Sequence, residues 1–255
     1  MLTIVSNDHP DPRTVWIGRA TAGDLGRSLE LFAEQAGEFA RDFGDDEIDP
    51  LRTYDFVSFA RDGRMAVMLS APRLDPACLL GVALARASEE VEGLSEICSV
   101  VVHPRFRRAG LGSSLVLALA VQECAEVEEF VGVFSAVLEH NDPFRLALRT
   151  VGAPWQSRER FVDDHPVVAE AADTVQCHWR ADNPVFSMFC PSMYEAGARM
   201  LVGAHAEEGH SLKQEMRLRT GPGFYADDPG FWDQVQLIAR GWMPRKSGSP
   251  RRLSA

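Results

Sequence analysis

The five cysteines offer no pairing pattern. Cys78, Cys98, Cys124, Cys177 and Cys190 are odd in number, scattered, and nowhere spaced as CxxC. That excludes a disulfide framework or a four-cysteine zinc site as the organising principle. It reads as reduced, buried thiols in a cytoplasmic protein. The opening MLTIVSNDHPDPR lacks a charged start followed by an apolar core, so no signal peptide is expected. No apolar run is long enough to span a bilayer, so no membrane partner is expected either. Positive charge is also short: 26 Lys and Arg face 37 Asp and Glu, a net charge of −11. About ten of those charges fall in residues 1–155, where 14 Arg face 24 acids. An acidic body argues against a nucleic-acid binder, which needs a basic face for phosphates. It suits a cationic or amine substrate, and it equally serves solubility.

What is present is a sizeable core, with 45% hydrophobic residues in 255, and a readable order of elements. TVWIGRA (14–20) predicts a strand. TAGDLGRSLELFAEQAGEFARDF predicts a helix with Leu25, Leu29, Leu31, Phe32, Ala36 and Phe39 near one face, capped by Thr21 or Asp24. DFVSFARDGRMAVMLSAP (55–72) reads as two strands around Asp62-Gly63. CLLGVALARAS (78–88) reads as a further strand. EICSVVV (96–102) is an unbroken apolar strand, expected mid-sheet with both faces covered. GLGSSLVLALAVQECAEV predicts a helix that is apolar nearly all round and buried on the sheet. EFVGVFSAVLEH (129–140) is the next strand, and DPFRLALRTVGAP a short helix.

Past residue 155 the pattern loosens. WQSRERF and TVQCHWRA read as strands, the stretch from Pro191 to Arg219 as one helix weakened by glycines, and DPGFWDQVQLIARGW as a shorter helix. RKSGSPRRLSA reads as a basic, disordered tail. The division is therefore a core at 1–155, an extension at 156–245 that completes the sheet, and the tail at 246–255.

The chemistry concentrates in SVVVHPRFRRAGLGSS. A strand ends at His103-Pro104, arginines follow, glycines alternate, and a helix begins. A helix N-terminus presents free N–H groups and roughly half a positive charge from its dipole. Gly110 and Gly112 lack a Cβ, so a ligand can approach the main chain closely. Arg105, Arg107 and Arg108 add positive charge. The predicted ligand is a phosphate group, foremost a diphosphate. The spacing is neither GxGxxG nor GxxxxGK[ST]; it is RxxGxG, from Arg107 through Arg108, Ala109, Gly110 and Leu111 to Gly112, preceded by Val-Val-His-Pro.

That stretch resembles the acetyl-CoA signature of the GNAT superfamily of N-acyltransferases. The order strand, helix, three strands, signature, helix, strand, helix is also similar, over about residues 14–155. EHNDPFRLALRTVGA, with Asn141 and Gly152, resembles the family's later motif. The resemblance implies an α/β fold: a mixed, mostly antiparallel central sheet flanked by helices, here with a mainly helical C-terminal extension. It implies acetyl-CoA as acyl donor and no metal. The amides from Arg107 through Arg108, Ala109, Gly110, Leu111 and Gly112 to Ser113 would hold the diphosphate. Val100, Val101 and Val102 would pair with the pantetheine arm, and Asn141 belongs with the CoA site.

The implied reaction is direct attack of an amine on the thioester in a ternary complex. The acceptor is read as a small molecule in preference to a protein, and a homodimer fits the family's habit. Glu96, eleven positions before Arg107, stands where histone-type members keep their general base; a solvated strand end is the plain alternative. Glu89, Glu90 and Glu92 on the preceding loop are fallback bases. Many members carry a Tyr that donates to the departing thiolate. Counting from Asn141, that place falls on Leu148, and Tyr54, Tyr194 and Tyr225 lie far off in sequence. Two further readings follow. The extension's aromatics (Trp155, Trp179, Phe186, Phe189, Phe231, Trp232) would line a channel for a longer acyl-CoA or carrier-protein donor, or the chain binds CoA without turnover. His205 and His210, five apart, fall on different helix faces and make a poor metal pair. Cys177-His178 reads as strand alternation, and His103 as structural.

Overall fold

The computed structural model describes residues 13–41, 53–62, 64–127, 129–138, 145–146, 149, 152, 154–178, 184–221, 228–243 and 251–252. In chain order these give β1 (Thr14–Arg19), α1 (Ala22–Leu25), α2 (Leu29–Arg41), α3 (Thr53–Arg61), β2 (Met65–Leu69), β3 (Leu79–Ala87), β4 (Leu94–Val102), α4 (Leu111–Glu126) and β5 (Gly132–Leu138). There follow α5 (Arg158–Asp164), α6 (Ala169–His178), β6 (Pro184–Met188), α7 (Pro191–His205), β7 (His210–Ser211), β8 (Arg217–Thr220), α8 (Pro229–Ala239), β9 (Trp242–Met243) and β10 (Arg251–Arg252).

Eight strands form one sheet in the order β6-β5-β4-β3-β2-β1-β8-β7. Only β4–β5 and β1–β8 are parallel; the other pairs are antiparallel. The mixed, mostly antiparallel sheet flanked by helices is as expected. β4 lies mid-sheet, and both its faces are covered. Val100 and Val102 pack with the cluster around α4, whereas Val101 packs with the cluster around α2 and α3. Burying apolar strand residues on both faces is why this strand carries no alternation of polar side chains.

α4 buries nearly every residue. Its polar side chains are paired where it meets the sheet: Glu123 accepts from Ser95 Oγ at 2.6 Å and from Arg64 at 3.0 Å, and Glu126 is paired with Arg19. Burial pushes the Glu123 carboxyl up, against the opposing pull of Arg64 and Ser95.

The extension is woven into this fold. β6 adds to one sheet edge and β7–β8 to the other. α5, α6 and the 3-10 turn between them contribute Phe161, Ala171, Ala172 and Val168 to a cluster with Leu94, Phe134 and Phe186. α7 crosses α4 so closely that a Cβ on Gly197 would meet the Leu117 carbonyl at 2.8 Å.

Several elements differ from expectation. Residues 53–61 are helix, not strand, because Phe56 and Ala60, one turn apart, are both buried. Leu31 is 55% exposed, off the buried face that Phe32, Ala36 and Phe39 form. Gly26, at φ +51°, stands in a 3-10 turn that separates α1 from α2. Thr21 and Asp24 cap α1 together: the Thr21 amide donates to Asp24 Oδ2, and the Asp24 amide to Thr21 Oγ1. WQSRERF runs into α5 and TVQCH forms the end of α6 instead of strands, so Cys177 and His178 sit on a helix; Trp179 to Ala181 lie outside the described residues. The single helix expected from Pro191 to Arg219 stops at His205. At Gly209 the chain turns with φ +70° and returns as β7 and β8. In the tail, Arg251–Arg252 pair with Trp242–Met243.

Candidate active site

β4 runs directly into the turn. The His103 amide donates to the Leu80 carbonyl at 2.8 Å, and His103 Nδ1 accepts from the Arg105 amide at 3.2 Å. The imidazole packs between Phe39 and Phe106. His103 therefore caps the 3-10 turn Pro104–Phe106, the structural role expected of it. Arg108 then takes φ +67° and Gly110 φ +92°, and α4 starts at Leu111. Its first intrahelical amide bond runs from Ser114 to the Gly110 carbonyl. The amides of Leu111, Gly112 and Ser113 thus precede the helical ladder, and no side chain caps the terminus at Gly110. A Cβ on Gly110 would meet nothing within 4 Å, and one on Gly112 only the methyls of Val102 and Val100, at 3.7 and 3.9 Å. The helix end is open to a ligand, and it lies over the last residues of β4.

The three arginines divide. Arg105 and Arg108 are exposed. Arg107 is half-buried, with Nη2 donating to the Phe39 carbonyl at 2.8 Å and Nε to the Val102 carbonyl at 3.3 Å. It ties the end of α2 and the end of β4 to the turn.

Beside the turn the sheet forks. β4 and β5 pair only at Leu94–Gly132, Ser95–Val133 and Glu96–Phe134. β4 then continues against β3 and β5 against β6. Just past the last pair, Ser135 Oγ donates to the Ile97 carbonyl at 2.9 Å. A bulge in β4 opposite Leu84 and Ala85 sets Cys98 out of the pairing.

Glu96 is not the solvated strand end of the plain alternative. It is 4% exposed, the third residue of β4, and opposite Arg86 in register. Arg86 Nε and Nη2 both lie 2.6 Å from Glu96 Oε2. Burial lowers the guanidinium's proton affinity, but Glu96, Cys98 and Glu90 outweigh it and raise it. The sequence reading missed Arg86; its signal was the β3–β4 register, which puts the two residues across from each other.

The fallback bases are surface groups. Glu89, Glu90 and Glu92 are exposed, and the Thr174 and Ser88 hydroxyls hold the Glu90 carboxyl below its ordinary range. Tyr194, on α7, is buried against Phe130, and its hydroxyl accepts from the Val133 amide at 3.0 Å. Burial pushes its phenol well up. Asn141, Leu148, Trp179, Tyr225 and the side chain of Tyr54 lie outside the described residues. Phe186, Phe189, Phe231 and Trp232 are core residues, and Trp155 Nε1 donates to the Arg145 carbonyl. Among the described residues no three His, Cys, Asp or Glu gather as metal ligands, and no helix is long and apolar enough to cross a membrane.

Fold and turn together define an α/β domain with an anion-ready helix terminus at the mouth of a forked sheet. Residues 30–148 match the acetyltransferase (GNAT) family and carry a domain of that family. No curated protein matches the chain in sequence. Among solved structures, it is similar to diaminobutyrate acetyltransferase EctA from Paenibacillus lautus, in complex with L-2,4-diaminobutyric acid and coenzyme A. That likeness has 17% identity and a TM-score of 0.45, over 68% of this chain and 93% of the other. Ard1 from Thermoplasma volcanium is 14% identical, with a TM-score of 0.45, over 68% and 95%. A GNAT-family acetyltransferase from Bacillus cereus is 14% identical, with a TM-score of 0.43, over 69% and 96%.

Proposed function

We propose that the protein is an N-acetyltransferase moving the acetyl group of acetyl-CoA to an amine by direct attack in a ternary complex. The observation that carries this reading is the uncapped α4 N-terminus, opened by Gly110 and Gly112 beside the β4–β5 fork. The donor fits there. Its diphosphate would meet the amides of Leu111, Gly112 and Ser113, the helix dipole and the exposed Arg105 and Arg108. Its pantetheine arm would follow the β4 edge past Val102 and Val100. Asn141 would complete the CoA site.

An ammonium has no lone pair, so the amine must lose a proton before attack. Glu96 would take it, directly or through water, with Arg86 fixing which carboxylate oxygen faces away. A strand amide at the fork would hold the thioester oxygen as charge develops. The extension caps the acceptor side: α5 and α6 cover the part of the sheet face that adjoins Glu96. The acidic body favours a cationic small molecule as acceptor. Phe161 stacks on Phe186 with centroids 5.2 Å apart and packs tilted against Phe134 at 6.2 Å, which supports a short acyl donor over a long acyl channel.

The test is calorimetry with CoA, followed by thiol release from acetyl-CoA across an amine panel. Binding in the micromolar range and amine-dependent release are expected, and Glu96→Gln should slow release at least tenfold while sparing CoA affinity. No heat with folded protein ends the reading; release unaffected by Glu96→Gln removes Glu96 from it.

A further inference from the structure

Arg86 and Glu96 stand opposite each other on β3 and β4. Their neighbours Ala85 and Ile97 pack with the cluster around α4, so the pair faces the other side of the sheet. On that face Glu96 lies between two residues of β4. One is Leu94, in the cluster under α5 and α6; the other is Cys98, which packs with the cluster around α2 and α3. The fork in which the donor would lie opens one residue further on, past the Glu96–Phe134 pair.

The two members of the ion pair are unequally covered. The Glu96 side chain is 5% exposed and the Arg86 side chain 41%. Glu96 Oε2 takes the Nε and Nη2 edge of the guanidinium. A guanidinium has five N–H donors, and its end, between Nη1 and Nη2, matches the two oxygens of a carboxylate. Arg86 is open enough to solvent to take a second carboxylate there.

The chemistry gives it a reason to do so. An adjacent cation favours the charged form of a carboxylate and so opposes its work as a base. Once Glu96 holds the amine's proton it is neutral, and Arg86 is left half-buried without a counter-charge. A second carboxylate on Arg86 removes both obstacles.

We propose that the acceptor is a free amino acid, its carboxylate held by Arg86 and its ammonium set against Glu96. The inference rests on the acyl-transfer reading above and names the acceptor class. Opposite charges side by side on β3 and β4 complement a zwitterion. The ammonium gives one proton to Glu96, and the freed lone pair forms the C–N bond at the acetyl carbon. The C–S electron pair leaves on sulfur, and the nitrogen's surplus proton passes through water to the thiolate. Arg86 meanwhile exchanges Glu96 for the substrate carboxylate, so its charge is matched before and after proton transfer. Arg86 and Glu96 touch, so the acceptor's amine and carboxylate lie close together, as in an α- or β-amino acid. A lysine side chain within a protein offers no carboxylate at that spacing.

The experiment measures thiol release from acetyl-CoA with a panel of free amino acids, their matching carboxamides and other carboxyl-free amines. Each acid and its amide share a side chain and differ at the carboxylate. The amide's amine is the less basic and is more often uncharged at neutral pH, so a preference for the acid does not come from the amine. Wild type should favour an amino acid over its amide about tenfold or more in kcat/KM. Arg86→Gln should bring that ratio close to one, and Arg86→Lys, which keeps the charge without the fork, should recover part of it. Equal loss for acid and amide, with the ratio kept, makes Arg86 a support for Glu96 only and overturns the proposal. A wild type that acetylates amides or other carboxyl-free amines as well as acids also overturns it, even if no variant folds. Amino-acid binding to the CoA complex, by calorimetry, is the second readout. Glu96→Gln should keep the affinity, and adding Arg86→Gln, which leaves no charge unpaired, should weaken it about tenfold. Equal affinity in those two proteins overturns the proposal. If folded wild type binds no CoA, or no amine releases thiol, the acyl-transfer reading falls and this one with it. Release with carboxyl-free amines alone sinks only the role of Arg86.

Discussion

The guanidinium of Arg107 reaches the main-chain carbonyl of Phe39 at 2.8 Å, across 68 residues of sequence. A second bond to the Val102 carbonyl makes Arg107 a strut between α2, β4 and the turn. Its first effect is on loop position. Arg107→Met should lower stability by about 1–3 kcal/mol, the cost of leaving half-buried carbonyls without a charged donor. It should also weaken CoA without changing the salt dependence of binding. Arg108→Ala, on an exposed cation, should leave stability alone and flatten the salt dependence. Denaturant melts and calorimetry at two salt concentrations separate the cases. A salt slope that falls with Arg107→Met puts its charge on the phosphate instead.

Gly110 stands at φ +92° with open space where a Cβ would go. The cost of Gly110→Ala is thus backbone strain, about 1–2 kcal/mol, rather than collision. Relief of that strain would rotate the first amides of α4, so CoA affinity should fall about tenfold or more. Unchanged affinity would show that these amides do not hold the ligand.

Glu123 carries a pH signature. Its folded carboxyl lies above the ordinary value of 4.5, chiefly through burial. Between the unfolded and folded midpoints the native state holds more protons, so this group's contribution to stability falls as pH rises through that window. Glu123→Gln should abolish the slope above pH 4.5 while keeping a partner for Ser95. Glu123→Ala should cost more, about 1–3 kcal/mol, by stripping Ser95 and Arg64 together. Denaturant midpoints across pH 4–8 test both. A slope that persists in Glu123→Gln assigns it to another group.

Gly197 lets α7 approach α4 until a Cβ would touch the Leu117 carbonyl and a Val121 methyl, both at 2.8 Å. Gly197→Ala should therefore destabilise by about 1–3 kcal/mol through overpacking, despite alanine's better helix propensity. A melting temperature equal to or above wild type would mean the helices part without cost.

The core was legible because local chemistry and packing agreed there. Val100–Val102 are apolar on both sides and proved to be covered on both sides, and α4 is apolar all round and proved buried all round. The turn at Gly110 was legible because glycines at 110 and 112 leave the main chain bare where an apolar strand gives way to a helix. The reading failed where a short apolar run suits either period, as at Phe56 and Ala60, and beyond residue 155. There the glycine-rich stretch after Pro191 hid where α7 ends and the sheet resumes.

The sequence by itself determined the open helix terminus, since glycines at 110 and 112 remove side chains wherever the chain runs. Only the tertiary structure decided what the charges beside it do. Arg107 serves Phe39 and Val102, and Glu96 is buried against Arg86. Those partners come from α2, β4 and β3, which the fold brings side by side. A partner across a sheet is chosen by register and packing, which no local pattern of residues records.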